Sequence, residues 1–115
     1  MHWPVLFAAV VAASTAAAEQ RLVMLEAPGC VWCERWRQEI GVAYPNTEEG
    51  RSAPLRVVDI SRGWPEDLAH VAPDRVTPTF ILMRDGAEVS RLRGYPGAEF
   101  FWPMLSDMLD AAPSD

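Results

Sequence analysis

Lysine is absent from this chain. Of its 115 residues ten are basic, all of them arginine, against sixteen acidic residues and a formal net charge of −6. No arginine cluster stands out, and an acidic surface without a basic stripe argues against a nucleic-acid partner. Arginine-only usage by itself carries no functional argument. Long apolar runs are also lacking: Trp3–Ala13 is interrupted by Pro4 and falls short of the about 20 residues a bilayer-spanning helix needs. No internal repeat, low-complexity tract or interdomain linker divides the sequence, which suits one small domain.

Cysteine is the most informative scarcity, because Cys30 and Cys33 are the only two. A closed zinc site needs further Cys or His ligands that the sequence does not supply around this pair. Haem attachment wants His directly after the second Cys, and position 34 is Glu. A redox dithiol is then the leading reading, ahead of an inert structural disulfide or a shared metal site. The flanks agree. Arg21–Glu26 reads as a buried strand just before the pair, and Glu34–Ile40 as a helix just after it. A thiol at a helix N-terminus meets free backbone N–H groups and the positive end of the helix dipole, both of which favour the thiolate. Cys30 is accordingly expected to be the exposed, low-pKa nucleophile. Cys33, one turn further in, is expected to be buried and to resolve the mixed disulfide.

Residues 1–18 read as a secretory signal peptide. The apolar run leads into Ser14–Ala18, with alanines at positions 16 and 18 forming an A-x-A cleavage site. The segment before the run has no Lys or Arg, only His2, and an uncleaved interfacial anchor is the alternative. Residues 19–115 then form the mature domain, exported to an oxidising space where an isolated dithiol tends to close. A reducing role there needs a dedicated electron supply.

Within the mature domain, Arg21–Glu26 is a near-continuous apolar run of the kind buried on both faces of a sheet. The first helix stops near Ile40 at Gly41, and residues 41–54 are mostly loop with one turn capped by Thr47. Leu55–Ile60 is a second strand, and Gly63–Asp67 the start of a short helix with Pro65 in its first turn. Thr79–Met83 and Ala87–Arg93 form a hairpin around Asp85-Gly86, although alternation in the last strand is imperfect. Gly97–Ala111 is the final helix, with Phe101, Met104, Leu105 and Met108 at helical spacing and Pro103 inside it, which should bend or loosen it. The first two strands, joined by a helical crossover, should be parallel, and the last two antiparallel. This is an α/β chain with a small mixed four-stranded sheet flanked by helices.

That order, with C-x-x-C opening the first helix and Thr77-Pro78 just before the third strand, resembles the thioredoxin family over essentially the whole mature chain. The resemblance implies a thioredoxin fold and a cis Pro78 lying against the disulfide. It also implies a Thr77 whose backbone groups meet a bound peptide. Two features depart from the family. Val31-Trp32 replaces both the Gly-Pro of ordinary thioredoxins and the Pro-His of strong periplasmic oxidants. Met24 stands where many thioredoxins carry a buried Asp. Glu26 shares its strand face with Met24 and is read either as the proton acceptor for Cys33 or as a strand-end carboxylate facing water. Trp36, Phe80 and Phe101 read as core. Trp32, between the cysteines on a turn that must be exposed, reads as an apolar contact for a partner. Gly94 reads either as a site where a partner backbone approaches or as a plain turn glycine. His70 shows no partner pattern and reads as a solvated helix-end residue.

Ala27–Cys33, Glu39–Gly41, Tyr44-Pro45, Glu49–Arg51, Thr77–Phe80, Gly94–Gly97 and Phe100–Leu105 resemble, more narrowly, the SoxS-type periplasmic thioredoxins of bacterial sulfur-oxidation gene clusters. This resemblance implies a periplasmic thiol–disulfide oxidoreductase acting as a reductase. Its substrate would be a disulfide-bearing protein such as a cysteine-bearing sulfur carrier, and its electron donor a membrane thiol transporter. A monomer without cofactor or metal is expected. The alternatives are a reductase or oxidase for cytochrome c maturation or disulfide formation, and a redox-silent peptide-binding module.

Overall fold

The structure, a computed structural model, describes residues 2–6 and 19–111. The proposed cleavage site at Ala18 lies outside the described residues. Strand β1 (Gln20–Glu26) leads into helix α1 (Val31–Trp36), and a short helix α2 (Glu48–Ser52) precedes β2 (Leu55–Asp59). Strands β3 (Thr79–Arg84) and β4 (Ala87–Arg93) form the hairpin, and α3 (Ala98–Asp110) closes the fold. The sheet order is β2-β1-β3-β4; β1 is parallel to β2 and antiparallel to β3, and β3 is antiparallel to β4. This is the architecture the family resemblance implies.

Strand alternation divides the apolar residues between two cores. Leu22 and Met24 of β1 join Phe80, Leu82 and Leu92 on one face, covered by Cys33 and Trp36 of α1 and by Phe101, Leu105 and Met108 of α3. Val23 and Leu25 join Val58, Ile81 and Met83 on the other, covered by Leu68 and Val71. Leu22 through Leu25 are therefore all buried, as a strand covered on both sides requires. Trp36 is the hub of the helical face, its ring centroid 5.1 Å from Phe80 and 5.8 Å from Phe101.

Several elements differ from expectation for identifiable reasons. Helix α1 begins at Val31, earlier than Glu34, and after Trp36 widens into one π-turn over Arg37–Gly41, with the Val42 amide donating to the Arg37 carbonyl. Gly41 lies so close to Trp36 that a Cβ there would come within 3.0 Å of its ring. Ile60 leaves the second strand because the Asp59 carboxylate accepts from the Ser61 amide and starts a 3₁₀ turn. The short helix expected at Gly63–Asp67 is only a 3₁₀ turn, Glu66–Leu68. Thr47 caps α2 as expected, accepting from the Gly50 amide at 2.9 Å.

The irregular alternation of β4 is a bulge. Leu82 pairs with Ser90 but Met83 with Glu88, so Val89 is the extra residue, and Val89 and Leu92 both reach the helical core. Asp85 and Gly86 both have positive φ, as a tight hairpin turn requires. Helix α3 runs through Pro103 without interruption. Met104 is 40% exposed, at the margin of the arc formed by Phe101, Leu105 and Met108. His70 is exposed, with its Nε2 2.6 Å from the Gly86 carbonyl.

Candidate active site

The C-terminal end of β1 delivers the dithiol. Gly29 takes φ +75 in the turn after Glu26, a left-handed conformation glycine accepts without steric cost, and the Cys30 amide donates to the Ala27 carbonyl. Cys30 is extended and occupies the N-cap position of α1, where its sulfur accepts from the Cys33 backbone N–H at 3.1 Å. An N-cap side chain satisfies one of the amides left open at a helix start, and here that side chain is the thiol. The two cysteines form a disulfide with Cα atoms 5.2 Å apart. Their environments differ sharply: Cys33 is fully buried in the helical core, whereas Cys30 is half-buried.

The same end of the sheet carries the Thr77-Pro78 segment. Because β1 and β3 are antiparallel, Thr79 pairs with Leu25, and on its other side with Arg93. The loop leaving β1 toward Cys30, the entrance to β3 and the exit from β4 therefore lie side by side. The Thr77–Pro78 bond is cis and Pro78 is buried. The Gly94 amide donates to the Pro78 carbonyl at 2.7 Å, and the Thr79 hydroxyl to the Val76 carbonyl at 2.6 Å. Gly94 has φ +90, and a Cβ built on it meets nothing within 4 Å, so its own chain requires glycine there for the backbone angle and not for close approach.

Trp32 is 53% exposed, and the Arg35 guanidinium sits 5.2 Å from its ring centroid, within cation–π range. Val31 beside it is also exposed. Met24 is fully buried, so no ionisable group stands at its position in the core. Glu26 is largely covered and pairs with Arg37 just beyond α1; on β1 it lies in register with Asp59.

Five residues to which the sequence alone assigned no role help build this end of the molecule. The Tyr95 phenol donates to the Glu39 carboxylate at 3.0 Å. Burial, together with that carboxylate, pushes the phenol up to about 12. Asp74 accepts from Arg93 Nε at 2.8 Å and Nη2 at 3.1 Å, from Arg91 Nη1 at 3.4 Å, and from the Val76 amide at 3.0 Å. Arg93 above all holds its carboxyl down at about 2. The signal that could have found this cluster is the Arg91/Arg93 pair, two cations on one strand face in need of a counter-charge. Among the described residues no group of His, Cys, Asp and Glu is arranged to hold a metal ion, and no helix is long and apolar enough to cross a membrane.

Residues 7–109 match the family model of the thioredoxin-like domain. The chain is 47% identical to the periplasmic thioredoxin SoxS from Paracoccus pantotrophus in its reduced form, covering 79% of this chain and 96% of that one with a TM-score of 0.73. Trxlp from Edwardsiella tarda is similar at 23% identity, 78% and 84% coverage and a TM-score of 0.62. Fasciola hepatica thioredoxin is similar at 21%, 78% and 81%, and 0.58. These last two speak to the fold alone. No curated protein matches the sequence. Fold, family model and the Cys30–Cys33 disulfide of its C-x-x-C motif together make this chain a member of the thioredoxin-like family of thiol–disulfide oxidoreductases.

Proposed function

We propose that this protein is a periplasmic reductase, delivered by the leader at residues 1–18, that acts as a monomer on disulfide-bearing protein partners. The observation that carries the reading is the asymmetry of the two sulfurs. Cys30 is reachable and receives a helix amide, and Cys33 is sealed in the core. In the reduced protein the Cys30 thiolate attacks one sulfur of the partner disulfide. That S–S bond breaks, the second partner sulfur leaves as a thiolate, and a mixed disulfide forms. Cys33, once deprotonated, attacks the Cys30 sulfur and expels the first partner sulfur. Two electrons have passed to the partner and the Cys30–Cys33 disulfide is closed.

Glu26 is the proton acceptor for Cys33 in this scheme. Arg37 follows Cys33 by about one helical turn and pairs with Glu26, which supports placing this carboxylate beside the active-site helix. Thr77 provides the docking edge: among the described residues neither its amide nor its carbonyl takes a hydrogen bond, while the flanking Val76 and Pro78 groups do. An extended partner segment can add its main chain there, with Pro78 behind it, Gly94 beside it and Trp32 supplying an apolar contact. Likeness to a periplasmic SoxS thioredoxin favours reduction over oxidation. We further propose a cysteine-bearing sulfur carrier as the partner and a membrane thiol transporter as the donor, which is what the SoxS-type resemblance of the sequence motifs implies.

Acid trapping of thiols in cells with and without the membrane transporter tests the direction. Cys30 and Cys33 are expected reduced with it and oxidised without it. A pair oxidised in both strains overturns the reductase reading.

A further inference from the structure

The segment that presents Thr77 has no regular secondary structure between Val71 and the start of β3. A docking edge made of loop backbone is useful only if its amide and carbonyl point the same way in every molecule. The two strands beside it fix Pro78 and Thr79, and the Thr79 hydroxyl holds the Val76 carbonyl. The Val76 amide is held by Asp74. Its carboxylate is only 8% exposed, and it is wedged between Arg93 and Arg91 of β4 on one side and the Val76 amide on the other. Arg91 adds a second tie, donating from Nη2 to the Ala72 carbonyl at 2.7 Å. Arg93 immediately precedes Gly94, whose amide holds the Pro78 carbonyl. Arg93, the last residue of β4, and Gly94 just after it thus grip the loop on either side of Thr77.

We propose that Asp74 is the positioning residue of the substrate-docking edge, clamped by Arg91 and Arg93 so that the Thr77 backbone is preset to receive an extended peptide. The inference rests on the docking role given to Thr77 above. Asp74 touches neither sulfur, so its effect falls on protein disulfides, which need the edge, more than on a small disulfide that reaches Cys30 alone. Charge-assisted bonds from a guanidinium fork are the strong kind, and they are directional enough to fix a loop.

The test compares kcat/KM for a protein disulfide, insulin, with that for a small aromatic disulfide, dithiobis-nitrobenzoate, on the full mature chain. In Asp74→Ala the ratio of the two should fall roughly tenfold, through KM for the protein substrate. Asp74→Asn, which keeps an acceptor for the Val76 amide but loses the charge facing Arg91 and Arg93, should lie between. Thermal melting of each variant shows that the chain is folded at the assay temperature. A merely structural role lowers both rates in parallel and leaves the ratio unchanged, and that result overturns the proposal. Thr77→Glu, which sets a charged side chain on the edge, separates the two ideas. If it lowers the ratio while Asp74→Ala does not, docking stands and the clamp fails. If Thr77→Glu also leaves the ratio unchanged, the docking reading itself falls and the clamp proposal falls with it.

Discussion

The phenol of Tyr95 donates a hydrogen bond to the carboxylate of Glu39, tying the turn after β4 to the π-turn that continues α1. Gly94, the preceding residue, holds Pro78. One short segment therefore connects the π-turn continuing the helix that carries the dithiol with the strand entrance beside it.

Tyr95→Phe should cost about 1 kcal/mol of stability, the worth of a typical hydrogen bond, measured by urea unfolding near neutral pH. Tyr95 is raised from 10.0 to about 12 in the folded chain, so folding favours its neutral form. Its contribution is complete below pH about 10 and is lost as pH climbs from there toward about 12. Tyr44, raised even further by burial, acts in the same direction. Wild-type stability should therefore fall over that alkaline window, and less steeply in Tyr95→Phe. An identical alkaline slope in the two proteins would remove the Glu39 bond from the account.

Cys33→Ser should trap mixed disulfides with partner proteins, visible on non-reducing gels, because the attacking sulfur remains and the resolving sulfur is gone. Cys30→Ser should trap none, and both should abolish insulin reduction. Faster alkylation of Cys33 than of Cys30 in the reduced wild type would reverse the assignment.

Trp32→Ala should leave thermal stability within about 0.5 kcal/mol of wild type, as expected for a surface change, since about half of the residue is exposed and its ring lies against the Arg35 guanidinium. It should weaken reduction of protein disulfides, seen as a higher KM. Equal loss with a small disulfide would place Trp32 in the dithiol chemistry and not in partner contact.

Gly50→Ala tests the support beneath the active-site helix. A Cβ at Gly50 would lie 1.8 Å from the Tyr44 carbonyl oxygen, and Tyr44 in turn donates its phenol to the Ala53 carbonyl and packs on Trp36. Both partners in the clash are backbone, so relief requires moving the 44–50 segment, and a loss of about 2–4 kcal/mol is expected by denaturant titration. A melting temperature equal to wild type would show that the segment shifts at no cost.

The features legible in the sequence are those whose cause is local. A C-x-x-C pair brings its thiols within disulfide reach on any helical turn, which is why Cys30 and Cys33 stand out among 115 residues. The run from Leu22 to Leu25 reads as a strand covered on both faces, Asp85-Gly86 supplies the positive φ values of a hairpin, and Thr47 caps the turn that follows it. The bulge at Val89 left a trace as faulty alternation, but its position could not be read, because a bulge is defined by which residues on the partner strand it skips. Met104 fits the helical spacing as well as Met108 does; only the width of the surface that α3 packs against decides that one is half-exposed and the other buried.

The amino-acid sequence by itself determined the element order, the two-sided burial of β1 and a dithiol placed at a helix start, since each follows from residue type, spacing and backbone preference over a few positions. Tertiary structure alone decided how that dithiol is surrounded. Glu39 meets Tyr95 across 56 residues and Asp74 meets Arg93 across 19. No periodicity or local propensity encodes such meetings, because they exist only once the sheet order β2-β1-β3-β4 brings the ends of β1, β3 and β4 to one edge of the molecule.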